Sequence, residues 1–270
     1  MTGYSLTLSE AEIGRYRMMA EAARRQEAEQ WRAAGIVPGA KVADVGCGPG
    51  AVLVAMAEVV GESGEVTGVD ADEAAVTAAT AMIAQSGWSN ARVHVGQADD
   101  TGLDPATYDV VVMRHVLAHN GPTEQRIVDH LATLLRPGGC LYLVDIDGTA
   151  IRLFPSEPDL DDLMDRYVAF HNARGNDLLI GLRLARLMTT AGLEMVEHRG
   201  FYNIVNAPPG MRPPAWAARE AMVDAGIATD SDVSRWDAAF TRMDAAADRP
   251  TLFAPLFSAI GRRPETDSAE

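Results

Sequence analysis

Asp44-Val45-Gly46-Cys47-Gly48-Pro49-Gly50 is the segment of this chain whose residue types and spacing best suit ligand chemistry. Glycines there allow backbone angles closed to other residues and let a ligand lie against bare main chain. Twenty residues past Gly50, the Val-rich run ending in Val69 closes on Asp70. A carboxylate at that point accepts both hydroxyls of a ribose through charge-assisted hydrogen bonds. Turn and acid together imply an adenosine-type ligand. Two cofactor classes compete, because Gly46, Gly48 and Ala51 also satisfy the dinucleotide pattern. Asp44, two residues before the first glycine, separates them. A pyrophosphate is poorly served by a carboxylate at the turn, whereas the ammonium and sulfonium of S-adenosylmethionine are positive.

Other reactive side chains are fewer. Cys47 lies in the turn, but nothing around it in sequence would lower its pKa, so it is not read as a nucleophile. His115 and His119 are four apart, a spacing that on a helix puts both on one face. No third ligand accompanies them, so no metal site is expected. His119 is the best single candidate for a base, with an ionisation expected near pH 6 to 7, or else it positions the acceptor. His94, His130 and His198 fall inside expected elements and read as structural. Tyr16, on the first helix, either closes over a ligand at the turn or simply faces the core. Phe154, Tyr167, Phe170, Trp216, Trp236 and Phe240 are either cap core or acceptor contacts.

The elements that must hold these residues follow from hydrophobic period. Short Val-rich runs at 41–45, 66–69, 92–95, 109–113 and 140–145 alternate with amphipathic helical stretches at 51–60, 72–85 and 123–135. That alternation indicates βαβ units and a buried parallel sheet. Ser9 and Glu12 have capping-box spacing, and Ile13, Tyr16, Met19, Ala23 and Trp31 recur at helical intervals, so the chain begins with a helix. Segment 146–176 is polar and acidic, with a helical pattern at its end; 177–191 reads as a further helix, and 193–201 and 251–262 as two last strands. Between these strands, Pro-rich breaks precede helices carrying Trp216 and Trp236, and this block is expected to cap the sheet's carboxyl edge. The expected organisation is an N-terminal helical segment (1–35), a cofactor-binding core (36–145), cap helices with two completing strands (146–262) and a flexible tail (263–270).

Composition limits what such a fold can do. The 270 residues are 47% hydrophobic and 23% charged, which suits one enlarged globular domain. With 23 Lys and Arg against 38 Asp and Glu, the net charge of −15 repels nucleic acid. Lys41 is the only lysine, leaving one candidate for Schiff-base chemistry and no Ser/Tyr-x-x-x-Lys proton relay of an oxidoreductase. Cys47 and Cys140 stand far apart in apolar or Gly-rich surroundings, as in a reduced, cytoplasmic protein. No apolar run is long enough to span a membrane, and the acidic N-terminus lacks signal-peptide character. A homo-oligomer is compatible with these features.

The glycine turn, the Gly68-Val69-Asp70 strand end, Tyr108-Asp109-Val-Val-Val-Met113 and Leu135-Arg136-Pro137-Gly138-Gly139 stand in the order and spacing of one family. Over 41–145 the chain resembles class I S-adenosylmethionine-dependent methyltransferases, most of all the small-molecule branch with ubiquinone/menaquinone-biosynthesis-type and natural-product enzymes. The resemblance implies a Rossmann-like, seven-stranded, mostly parallel sheet whose last two strands form an antiparallel pair. It also implies that Asp44 and the turn glycines hold the methionine part of the cofactor and Asp70 the ribose. The cofactor-lining set is then Tyr16, Asp44, Gly46, Gly48, Asp70, Ala71, Gln97, Ala98, Asp99, Arg114 and His115. Two departures matter. Where relatives often show Gly-Asp-Ala, this chain has Gly96-Gln97-Ala98-Asp99, so either Gln97 or Asp99 meets the adenine amine. Where many show Leu-His-His, Leu117-Ala118-His119 keeps only the second histidine. The implied activity is methyl transfer to O, N or C of a small metabolite. The rivals are an NAD(P)-dependent oxidoreductase and a methyltransferase-fold protein that uses its cofactor structurally or rearranges its substrate.

Overall fold

The computed structural model describes residues 16, 18, 20–21, 23–206 and 208–265. Ser9, Glu12, Ile13, Met19 and the tail beyond Glu265 lie outside the described residues. The described strands are β1 (Lys41–Val45), β2 (Glu65–Asp70), β3 (Ala91–Val95), β4 (Tyr108–Arg114), β5 (Leu135–Ile146), β6 (Arg152–Phe154), β7 (Glu194–Asn206) and β8 (Thr251–Arg262). They form one sheet in the order β3-β2-β1-β4-β5-β8, with β7 on the far edge of β8. The first five strands pair in parallel, while β8 runs antiparallel to β5, β6 and β7. The last two strands are therefore the expected antiparallel pair. The eighth strand is β6, three residues that extend the edge of β8 beyond the end of β5.

Helices cover both faces. On one side α1 (Ala28–Ala34) packs over β5 and β8, and α2 (Ala51–Val60) and α3 (Glu73–Ser86) over β2 and β3, with Trp31, Leu53 and Met56 buried among Val66, Val112 and Tyr142. On the other, α4 (Glu124–Leu134), α5 (Pro158–Ala173) and α6 (Leu184–Thr190) share an apolar layer with Leu143, Leu163 and Phe170. The cap continues in α7 (Pro214–Ala217), α8 (Arg219–Asp224) and α9 (Asp230–Ala245). A capping box between Thr229 and Asp232 starts α9. Trp236 is fully buried, and its indole N–H donates to Asp162 at 3.0 Å. Trp216 and Phe240 meet edge to face, so these three aromatics are cap core. Phe154 lies exposed on β6.

Three boundaries differ from the sequence reading. Leu135 ends no helix; it pairs with Tyr108 as the first residue of β5, and a register shift between Tyr108 and Val110 absorbs the glycines before Cys140. Segment 177–191 is not one helix but a 3-10 turn (Ile180–Arg183) followed by α6. There the Asp177 carboxylate takes the Leu179 N–H at 2.9 Å, a side-chain bond that competes with helix initiation. Finally, β7 runs on to Asn206, held by its register with β8.

Candidate active site

Parallel pairing aligns the carboxyl ends of β1, β2, β4 and β5, and this edge gathers Asp44, Asp70, Arg114 and Asp145. Asp44 sits between Gly68 and Val112 and is 3% exposed. Its Oδ2 is buried and has no hydrogen-bond partner among the described residues. Burial pushes its pKa up to about 7; Arg114 pulls down and Asp70 adds to the rise. A carboxylate stripped of water and left with an orphan oxygen is a receptor for a cation.

The turn that follows is shaped by glycine. Gly46 has φ +76°, and a Cβ there would lie 2.3 Å from Val116 Cγ2. Gly48 has φ +54°, and its bare Cα faces the half-buried ring of Tyr16, whose Cε1 is 3.6 Å from where a Cβ would stand. Gly46 N–H donates to Val69 carbonyl at 2.7 Å, which ties the turn to β2. Asp70 completes the tie: Oδ2 accepts the Gly48 N–H at 2.7 Å and Oδ1 the Asp72 N–H at 3.0 Å. Burial raises the Asp70 pKa, opposed by those two backbone donors. Each oxygen keeps a lone pair for a further donor. Cys47 is buried, and burial together with the Asp44 and Asp70 charges raises its pKa, so the thiol stays protonated.

Arg114 is anchored beneath α1. Its Nη2 donates to Glu27 Oε1 at 2.6 Å, and Tyr142 donates its hydroxyl to Glu27 Oε2 at 2.8 Å. Arg114 Nε is buried without a partner. Beyond β4 the chain turns sharply at His115, φ +57°, whose N–H donates to Val144 carbonyl at 2.8 Å. His119 then ends a 3-10 turn, Leu117–His119, so the helical face that would have paired it with His115 does not form. Asp145 holds that turn: its Oδ2 accepts the Ala118 N–H at 3.3 Å and its Oδ1 the Ile146 N–H at 2.9 Å. Burial raises Asp145 to about 7 against these backbone donors. Burial also pulls His119 down to about 4, below the near-neutral range expected from sequence.

After β3, Gln97 and Asp100 exchange backbone hydrogen bonds at 3.2 Å, with the Gln97 side chain exposed and Ala98 packed against the core. Asp99 is paired with Arg126. His94 and His130 clamp Thr101, through its carbonyl at 3.0 Å and its N–H at 3.1 Å respectively, as structural residues would. His198 Nε2 meets the Gly181 carbonyl at 3.0 Å.

Comparison with known proteins agrees with this geometry. A solved S-adenosylmethionine-dependent methyltransferase from Aquifex aeolicus has the same fold, with a TM-score of 0.51 at 19% identity, covering 68% of this chain and 90% of that one. The chain is 38% identical over 106 residues to nocamycin O-methyltransferase of Saccharothrix syringae, 39% of this chain and only 38% of that enzyme's length. It is 30% identical over 168 residues to ubiquinone biosynthesis O-methyltransferase of Burkholderia pseudomallei, 61% of this chain and 68% of the relative. A methyltransferase-domain family matches residues 36–179, more than half of the chain. The chain belongs to the class I S-adenosylmethionine-dependent methyltransferases.

The residues of this methyltransferase fit its cofactor. The orphan Asp44 oxygen suits the amino-acid ammonium, the glycine turn leaves main chain bare, and Asp70 retains acceptor capacity for ribose. Ala71, exposed beside Asp70, and the Tyr16 ring border the same turn. Sequence reasoning missed Glu27, Asp145, His171 and Asn176. Three of them carried a signal. Glu27 falls between Ala23 and Trp31 on one buried stripe, Asp145 interrupts an apolar strand, and His171 lies four residues past Tyr167 on the buried face of α5. Asn176 carried none, since its role depends on where its loop folds.

Proposed function

We propose that this methyltransferase moves a methyl group from S-adenosylmethionine to a small apolar or aromatic metabolite. Among O, N and C acceptors we favour oxygen, because the nocamycin and ubiquinone relatives are named O-methyltransferases. The observation that carries the reading is the buried, unpartnered Asp44 oxygen beside a glycine turn braced by Asp70. In this reading Asp44 receives the ammonium, Asp70 the ribose hydroxyls and Gln97 the adenine amine, while Tyr16, Arg114 and His115 line the cofactor. When bound, the cofactor supplies a methyl group on a sulfonium, already a good leaving group. The chain's task is then alignment and exclusion of water. His119, neutral at physiological pH, accepts a hydrogen bond from the acceptor and orients it. A biosynthetic role in natural-product or quinone chemistry is the setting that the same relatives suggest. A cytoplasmic location is favoured by two buried free thiols; no described helix is long and apolar enough to cross a membrane.

Thermal melts test the cofactor assignment. S-adenosylhomocysteine at 100 times its dissociation constant should stabilise the chain by roughly 2.7 kcal/mol, with no effect from NAD or NADP. A shift with NAD alone would transfer the assignment to the oxidoreductases. Incubation with labelled S-adenosylmethionine and fractionated host extract should then reveal a compound that gains a methyl mass.

A further inference from the structure

His171 lies in the last turn of α5 at 4% exposure, packed among three rings: Tyr167 at 4.4 Å between centroids, His119 at 4.9 Å and Phe170 at 5.4 Å. Its Nδ1 lies 2.9 Å from Asn176 Nδ2. Asn176 Oδ1 accepts the Gly121 N–H at 3.2 Å, which fixes the amide's orientation and turns its NH2 toward the imidazole. An NH2 group only donates, so Nδ1 must accept, and the single ring proton resides on Nε2. Gly121 is two residues past His119. One side-chain amide therefore ties the loop bearing His119 to the end of the cap helix and sets the tautomer of the ring that touches it.

We propose that His171, locked as its neutral Nε2–H tautomer by Asn176, is a positioning residue whose ring fixes the orientation of the His119 ring beside the methyl acceptor. The proposal rests on the methyl-transfer reading above. The surroundings favour an uncharged ring. Arg174 stacks on Phe170 at 4.9 Å and opposes a positive His171. The nearby carboxylates are engaged elsewhere, Asp145 with backbone N–H groups and Asp177 with Arg183. Burial first, then His119 and Arg174, hold His171 down to about 3.

The test uses the full chain labelled with 15N-histidine, with and without S-adenosylhomocysteine. Long-range 1H–15N spectra over about pH 5 to 8 should show His171 neutral, with its proton on Nε2 throughout. Asn176→Asp replaces the donor by an acceptor; His171 should then gain a proton on Nδ1 and titrate inside that range, and the His119 ring signals should move with it. His171→Phe, which keeps a ring against His119, should hold the His119 ring signals close to wild type, while His171→Leu, which removes the ring, should shift them. Melting temperature and S-adenosylhomocysteine affinity within about twofold of wild type establish that a variant is folded. If Asn176→Asp does not fold, the Phe and Leu pair decides. A wild-type His171 protonated on Nδ1 or titrating near its ordinary value would overturn the proposal, as would His119 signals that are the same in wild type and His171→Leu. Absent S-adenosylhomocysteine binding would instead overturn the methyl-transfer reading, because the histidine signals are read in the ligand-free chain as well.

Discussion

Asp44 and Asp70 stand at adjacent strand ends, yet their environments assign them different work. Asp44 makes no hydrogen bond through Oδ2 and is held near neutrality by burial, whereas Asp70 spends one lone pair of each oxygen on the backbone of its own turn. Asp44→Asn keeps the shape and removes the charge. We expect S-adenosylhomocysteine affinity to fall by roughly 1.5–3 kcal/mol, the worth of a charged hydrogen bond, with the melting temperature at pH 8 unchanged or raised. Calorimetry with unchanged affinity would place the ammonium elsewhere. Asp70→Ala should behave differently. In the structure that substitution deprives two backbone N–H groups of the turn of their acceptor. Affinity and melting temperature should therefore fall together, the second by an amount equivalent to about 1–3 kcal/mol. A variant as stable as wild type would show that the turn needs no brace.

Between elements, the most consequential contact is the one that seats α1 on the sheet. Glu27 is 3% exposed and, among the described residues, its carboxylate is satisfied by Arg114 and Tyr142 on β4 and β5. Glu27→Gln removes the ion-paired partner of Arg114 and leaves only the more weakly coupled Asp44 near its charge; breaking a buried pair costs about 3–5 kcal/mol, and Asp44 should hold the loss toward the lower end of that range. Denaturant unfolding should register that loss; a cost below about 1 kcal/mol would mean that water reaches Arg114. This pair also marks where the sequence stops being readable. Parallel strands buried on both faces appear as continuous Val runs, so β1 to β4 fall within a residue or two of their expected places. The glycine turn was equally legible, because positive φ and close approach demand glycine itself. Side-chain partnerships across the sheet were not, since Glu27 meets Tyr142 over a separation of 115 residues that no local pattern encodes. The cap was legible only as helices, because a 3-10 turn and α6 share one period in sequence until Asp177 caps the Leu179 N–H.

At the scale of the whole molecule, the site's buried carboxylates couple cofactor binding to protons. Asp44 and Asp145 each rise from 3.8 to about 7 in the folded chain, so the fold holds protons that the unfolded chain releases. Their contribution to stability is complete below about pH 4 and is lost as pH climbs through 7. His119 and His171, lowered to about 4 and about 3, act in the opposite sense, and favour the fold increasingly as pH rises toward 6.5. The two pairs offset one another on the acid side. Above pH 6.5 the histidines are neutral in both states, and the carboxylates alone should reduce stability by roughly 1–2 kcal/mol by pH 8. A bound ammonium reverses this at one position, because a positive charge against Asp44 stabilises the ionised form and draws its pKa down. Binding of S-adenosylhomocysteine at pH 6 should therefore release close to one proton, and at pH 8 almost none. Titration calorimetry in buffers of different ionisation enthalpy measures that number directly. Asp44→Asn should abolish the release, while Asp145→Asn, distant from the ammonium, should leave it intact. Equal heats in all buffers at pH 6 would show that the cation does not meet Asp44, and the glycine turn would then have to hold the methionine part through its backbone alone.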